Sequence, residues 1–278
     1  GAQYRGRRVG TFGTASFFSF QMLKGINTYG GGMTLTNDEA LARRIRQWAE
    51  QEPAPTTKDL LKRFTTAYVA RVGVSPKAFT FWGFPLQAAA TLVGQRDLSN
   101  YIWEKIRPLD HFPRTYHQRY SNVQALIGLR GLAKLDEFNS RSRAHASQYT
   151  NALGDSTHIK TPFVLPEAEH VYYQYCIYTT DPALTSRRAI RRGVDIETTH
   201  VDVCSKLELF AEFGGSFPGA EATEKALQLP VYSRLRSSDV ERVLRVVRAA
   251  CGPFNNKAPT SRRDETTLMW GGDNARMR

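Results

Sequence analysis

The chain is poor in cysteine and in negative charge. Only Cys176, Cys204 and Cys251 occur in 278 residues, far apart. That spacing excludes a disulfide framework and a Cys-rich metal module, and an odd number suits a reduced, cytoplasmic compartment. No metal site is expected. No signal peptide is legible, and no Cys/His finger or aromatic-and-basic nucleic-acid module, so nucleic acid is not an expected partner. Twenty-six acidic residues face 38 Lys and Arg, a formal charge of +12. Such a field attracts anions, among them nucleotide sugars, nucleic acid and acidic membrane surfaces. The arginines themselves, such as Arg43, Arg44, Arg187 and Arg188, are scattered and read as solvated helix faces. With 41% hydrophobic residues, the chain can bury one large core or two modest ones.

Acidic residues are also missing from the ten positions either side of Lys24. No local salt bridge accounts for that lysine. Its neighbours Met22, Leu23 and Ile26 are apolar, Ser19 lies five residues before it, and Gly30-Gly31-Gly32 opens six residues after it. The strand Met33–Thr36 leads out. The pattern predicts a buried, positioned lysine, desolvated enough to be partly neutral and nucleophilic. An enzyme that holds an aldehyde cofactor as a Schiff base needs such a residue. Read alone, the glycines are a hairpin turn and the lysine a surface charge.

The segment from Tyr4 to Asp38 resembles the DegT/DnrJ/EryC1/StrS family, the fold-type I aminotransferases that act on nucleotide sugars. The family pattern is Ser-Phe, a few variable residues, Lys, a short turn, Gly-Glu-Gly-Gly, and a strand ending in Thr-Asn-Asp. This chain reads Ser19-Phe20, Lys24, Tyr29-Gly30-Gly31-Gly32, Thr36-Asn37-Asp38. Tyr29 replaces a usual glycine and Gly30 a usual glutamate. The resemblance implies that Lys24 is catalytic and carries pyridoxal 5′-phosphate, with Ser19 on the cofactor phosphate. It resumes at His117-Gln118-Arg119-Tyr120-Ser121, where the family has Asn-x-Arg-x-Ser/Thr. There it implies that His117 reaches the cofactor phosphate of a partner subunit in a homodimer with shared active sites. A helix-capping turn is the equal alternative for that stretch. The carboxy-terminal signature is similar as well, in Phe217-Pro218-Gly219-Ala220-Glu221 and Leu229-Pro230. His200 lies near the sugar site by resemblance, and Arg119 and Tyr29 join it as candidate substrate contacts. A dehydrating branch of the family carries histidine at the lysine position, and Lys24 argues against that branch.

The expected fold class is α/β: the end of a fold-type I large mixed-sheet domain followed by a small α/β domain. The amino-terminal part of the large domain, with the aspartate that pairs with the pyridinium nitrogen, is expected to precede Gly1. A minimal protein that has lost its cofactor domain is the alternative. Residues 1–52 read as the large-domain remnant, 53–114 as a helical apolar and basic insert outside the common pattern, and 115–160 as one long connecting helix. Residues 161–252 read as the small domain and 253–278 as a disordered tail. In detail, Glu39–Gln51 is a helix capped by Asp38, and Asp59–Val74 has helical spacing. The helix from Arg119 is expected to bury Val123, Leu126, Ile127, Leu132, Leu135 and Phe138. Val171–Thr180 and Val194–Val203 read as strands, Pro182–Arg192 as a helix ended by Gly193, and Ser237–Ala250 as a final amphipathic helix.

Ala78–Gln95 holds eighteen residues without a charge. Its length approaches a bilayer span, and Pro85 with Thr80 and Gln87 weakens that reading. An interfacial helix with basic flanks and a helical hairpin packed on the body or on a second subunit are the other readings. Two functions follow. The first is a pyridoxal-phosphate-dependent aminotransferase that moves an amino group from glutamate or glutamine to a keto-sugar nucleotide. The second is a catalytically degenerate, membrane-associated scaffold of a polysaccharide pathway.

Overall fold

The computed structural model describes residues 1–21, 24–73, 75, 78–93, 116–198 and 202–251. His200, the stretch 94–115 and the carboxy-terminal tail lie outside the described residues. The chain opens with two short strands, β1 (Gln3–Tyr4) and β2 (Arg7–Arg8). These pair antiparallel, and β1 also pairs with β6 (Ala168–Glu169) far along the chain. A second ribbon joins β3 (Ala15–Ser19) to β4 (Gly32–Thr36), with Ser19 opposite Gly32. A Cβ on Gly32 would come within 2.5 Å of the Phe18 carbonyl oxygen, so this crossing requires glycine. Both faces of the ribbon stay open. Phe17 is 86% exposed, and Met33 and Leu35 are exposed too.

Helix α1 (Glu39–Gln51) forms where the pattern predicts it, because the Asp38 carboxylate accepts the Leu41 N–H at 3.0 Å. Pro53 and Pro55 end the segment, and Thr56 with Asp59 caps α2 (Thr57–Gly73) reciprocally. These hydrogen bonds hold the Asp59 carboxyl below its usual range. A π-helical turn, Phe79–Gly83, runs into α3 (Phe84–Val93). The Phe79 ring lies over Gly83, in space a Cβ would occupy. Among the described residues no helix is long and apolar enough to cross a membrane.

The long connecting helix is two helices. Asn122–Leu132 (α4) and Leu135–Leu153 (α5) are separated by a break at Ala133-Lys134. Its expected apolar face is also corrected. Val123, Leu126 and Leu132 are exposed, whereas the polar Gln124 is 1% exposed. The reason is a different packing surface. Gln124, Gly128, Gly131 and Leu135 form the stripe that meets the loop around Lys24.

The small domain is a four-stranded antiparallel sheet in the order β5 (Ile159–Lys160), β7 (Tyr175–Thr179), β9 (Leu227–Leu229), β8 (Glu197–Thr198). The strand expected at 171–180 is shorter, Tyr175–Thr179, and of the one expected at 194–203 Glu197–Thr198 is strand, with 199–201 outside the described residues. Helices α5, α6 (Pro182–Ile190) and α8 (Ser237–Ala250) cover the sheet and build its core with Tyr149, Leu153, Ile177, Leu227, Val240 and Val247. A one-turn helix, α7 (Pro218–Thr223), lies between β8 and β9. Gly193 has φ of 76°, a left-handed end to α6 as the pattern predicts. The Asp239 carboxylate accepts the Arg236 N–H at 3.0 Å and so starts α8. Burying tyrosines here requires partners. Tyr149 donates to the Pro230 carbonyl at 2.8 Å, and Tyr175 pairs with Thr150.

Candidate active site

The lysine loop is a wide turn between β3 and β4. Its neck is closed by the backbone: Phe20 N–H donates to Gly31 O, and Thr28 and Gly30 N–H both donate to Phe20 O. The return requires left-handed backbone at Tyr29 (φ 61°), Gly30 (φ 123°) and Gly31 (φ 83°). Glycine adopts this freely, and a tyrosine does so at a cost of about 1 kcal/mol. The Tyr29 ring is held edge-on to Phe64 of α2, centroids 5.7 Å apart.

Helix α4 clasps this loop. Gln124 Nε2 donates to the carbonyls of Thr28 and Gly30, each at 3.2 Å. Its Oε1 accepts from Ser121 N–H and Oγ–H, while Ser121 Oγ accepts the Gln124 N–H. The capping box of α4 therefore uses the same side chain that grips the loop. Tyr120 Oη donates to Thr28 Oγ1 at 2.8 Å, and Thr28 Oγ1 donates onward to Gly30 O at 2.8 Å. Thr28 and Gln124 are buried and fully hydrogen-bonded, as buried polar groups must be. Neither residue is among the predicted site residues. The Ser121-x-x-Gln124 spacing could have found the cap, but not the grip.

Lys24 itself is exposed, which corrects the expected burial. The loop directs Ile26 and Thr28 against Gly131 and Gly128 of α4, and Lys24 stays on the outer side. Its N–H closes a turn onto Gln21 O at 3.0 Å. Its ammonium lies 5.2 Å from the centre of the Tyr173 ring. Ser19 is exposed at the end of β3, where its Oγ accepts the Gln21 N–H at 3.5 Å.

A cleft of about 960 Å³ opens beside the loop, and Ser19, Tyr29 and Arg119 line it with Arg46 and Arg63. Lys24 is not on its wall. His117 sits at the edge, where Nδ1 approaches the Glu52 carboxylate at 3.3 Å. Arg119 is tied by its backbone N–H to Pro53 O at 3.0 Å. His200 is outside the described residues. Among the described residues no cluster of His, Cys, Asp or Glu could hold a metal ion.

The segment beyond the Lys24 amine is strained. Tyr172 has φ of 50°, and its N–H donates to His170 Nδ1 at 2.9 Å. The two rings meet edge-on at 4.6 Å. His170 is solvent-accessible as a residue, but its ring lies on Tyr172, and this desolvation lowers its pKa below the usual range.

The sequence model of the DegT/DnrJ/EryC1/StrS aminotransferase family matches residues 1–77 and 87–248. The chain belongs to that family. The match breaks only at 78–86, a narrower interval than the insert read from the sequence. Among curated relatives, a pleiotropic regulatory protein of Geobacillus stearothermophilus is 27% identical over 254 residues, covering 88% of this chain and 54% of that protein. A spore coat polysaccharide biosynthesis protein, SpsC, of Bacillus subtilis is 25% identical, covering 88% and 56%. Among solved structures, an aminotransferase, TlmJ, of Streptoalloteichus hindustanus is 25% identical with a TM-score of 0.60, covering 90% and 55%. The chain thus spans about half the length of the relatives it matches.

Two outcomes test this geometry. Gln124→Ala removes both donors to the loop and leaves two carbonyls without them, costing about 2–4 kcal/mol. Val123→Ala, on the exposed side of the same helix, should cost under about 0.5 kcal/mol. Urea unfolding of both variants checks this. The His170 pKa is lowered from 6.5 on folding. The unfolded chain therefore binds the extra proton first, so stability holds above pH 6.5 and falls as pH drops below it. A urea midpoint that declines between pH 7 and pH 5, with a flatter decline in His170→Gln, is the expected result.

Proposed function

We propose that the full-length protein is a pyridoxal-phosphate-dependent aminotransferase that aminates a keto-sugar nucleotide with glutamate or glutamine as donor. The observation that carries this reading is an exposed lysine on a loop whose return, at Thr28 and Gly30, is buried and hydrogen-bonded. An amine that must bond to an aldehyde needs an accessible Nζ on a backbone that does not move. Lys24 has the first, and the Gln124 and Tyr120 clasp supplies the second. Family membership and a relative named for polysaccharide biosynthesis point the same way.

The donor set fits the cofactor. Lys24 offers the amine for the aldehyde, and Ser19 keeps its O–H free to donate to a phosphate while its Oγ accepts from Gln21. Bound there, the cofactor supplies an electron sink for carbanion chemistry. Lys24, once released from it, is the base that moves the proton at the substrate carbon. Arg119 and its neighbours on the cleft favour an anionic acceptor such as a sugar diphosphate. His117 is assigned to the cofactor phosphate of a partner subunit, in a homodimer of the cytoplasm with shared sites. Its pairing with Glu52 orients the ring. His200 and Tyr29 remain assigned to the sugar.

A second reading has one observation in its favour. The break in the family match at 78–86 carries Phe81 and Trp82, both exposed, Phe81 at 84%. A scaffold docked on membrane through this turn would use them.

Protein from the complete reading frame, mixed with pyridoxal phosphate, should show a visible band that borohydride erases. Lys24→Ala should lack the band and keep the fold by circular dichroism. A borohydride-fixed adduct surviving in Lys24→Ala would sink the assignment. Co-sedimentation with anionic liposomes decides the second reading. The enzyme reading expects the protein to stay in the supernatant, and pelleting that Phe81→Ser abolishes would favour the scaffold.

A further inference from the structure

We infer that Tyr173 is a positioning residue for Lys24, a resting place for its ammonium whenever the amine is not bonded to cofactor. The inference rests on the aminotransferase reading for its purpose and on independent geometry for the contact. Lys24 Nζ lies 5.2 Å from the centre of the Tyr173 ring. That is within the ~6 Å over which a ring face attracts a cation. No acidic residue stands within ten positions of Lys24 in sequence, and no salt bridge to it occurs among the described residues.

The placement of Tyr173 is built rather than incidental. The chain reaches it from β6, which is locked by pairing with β1 and by the Arg143–Glu169 ion pair at 2.7 Å. It leaves into β7, whose first residue, Tyr175, is wholly buried. Between these anchors the backbone bends through left-handed Tyr172. A non-glycine residue there is strained, and strain persists only where the surroundings over-determine it. The His170 Nδ1 acceptor and the Tyr172–Tyr175 ring contact, 5.9 Å between centroids, do so. The bend leaves the Tyr173 ring 51% exposed and facing the lysine. Solvating a tyrosine by half, at the cost of a strained neighbour, has no packing benefit. It does have one for an amine that must leave its bond, wait and return.

The attraction acts on the charged, free form of the amine and is lost when the nitrogen is bonded elsewhere. Tyr173 therefore favours the released state of Lys24. At an exposed site the effect is about two- to fivefold in the equilibrium between free and bonded lysine. Phenylalanine keeps the ring face and should retain it.

The test uses the whole chain with lysines reductively ¹³C-dimethylated, which keeps their charge. The Lys24 signal, assigned by Lys24→Arg, should lie upfield of the main lysine cluster through the ring current. It should stay there in Tyr173→Phe and join the cluster in Tyr173→Leu. A Lys24 signal within the cluster in the unsubstituted chain would overturn the contact without any variant. Unmethylated protein is then incubated with subsaturating pyridoxal phosphate and borohydride, and the Lys24 adduct is counted by mass spectrometry. Tyr173→Leu should raise the adduct about two- to fivefold and Tyr173→Phe should leave it unchanged. Equal adduct in all three forms overturns the resting role alone. No adduct in any form, with the upfield signal present, overturns that role through failure of the cofactor reading.

Discussion

The site depends on the grip of one amide. Gln124 is 1% exposed, and all of its polar valences are used: two donors on the loop carbonyls, one acceptor on the start of its own helix. A buried amide of this kind is costly unless every partner is present, and rigid once they are. The β3–β4 ribbon cannot supply that rigidity itself. Two strands with both faces open are marginal in water, and Phe17, Met33 and Leu35 bury little of themselves. What fixes the loop is the helix behind it. Gly128 and Gly131 let Thr28 and Ile26 approach the α4 backbone, and Tyr120 closes the arrangement from the side.

The same helix pair carries the constraint into the small domain. Helix α5 begins two residues after α4 ends, touches Gly25 of the loop through Leu135, and buries Tyr149 and Leu153 in the small-domain core. The core in turn anchors Tyr175, and the strained turn ahead of it returns to Lys24. The lysine is bracketed: its loop is held by α4 through Thr28 and Gly30, and its side chain is met by Tyr173. The break at Ala133-Lys134 separates α4, which grips the loop, from α5, which covers the sheet.

Much of this was legible in the residues. Caps are local, so Asp38, Gly193 and the start of α8 near Ser237 announced themselves. The lysine loop was legible through its order of Ser19, Lys24 and three glycines, and the family followed from it. Three things were not. Lys24 looked buried because its neighbours in sequence are apolar, yet the wide turn sets Ile26 against Gly131 and leaves Lys24 exposed. Helix α4 looked as though it should bury Val123, Leu126 and Leu132, since apolar periodicity is the usual sign of a core face. Its true contact stripe is one amide and two glycines, which carry no hydrophobic signal. Short strands such as Glu197–Thr198 were over-read because an apolar run says nothing about where a partner strand stops.

The cleft and the lysine are separate features, and that separation bears on how the chemistry could be divided. Ser19, Tyr29 and Arg119 line the cleft, while Lys24 is not on its wall and its ammonium lies over the Tyr173 ring. A single subunit thus presents an amine outside a cleft whose wall carries Arg46, Arg63 and Arg119 beside Glu50 and Glu52. The Phe20 backbone, which closes the neck by hydrogen bonds to Thr28, Gly30 and Gly31, supports both. A change at Thr28 or Gln124 would disturb both together, because the loop that carries Lys24 also supplies Tyr29, Gly30 and Gly31 to the cleft wall.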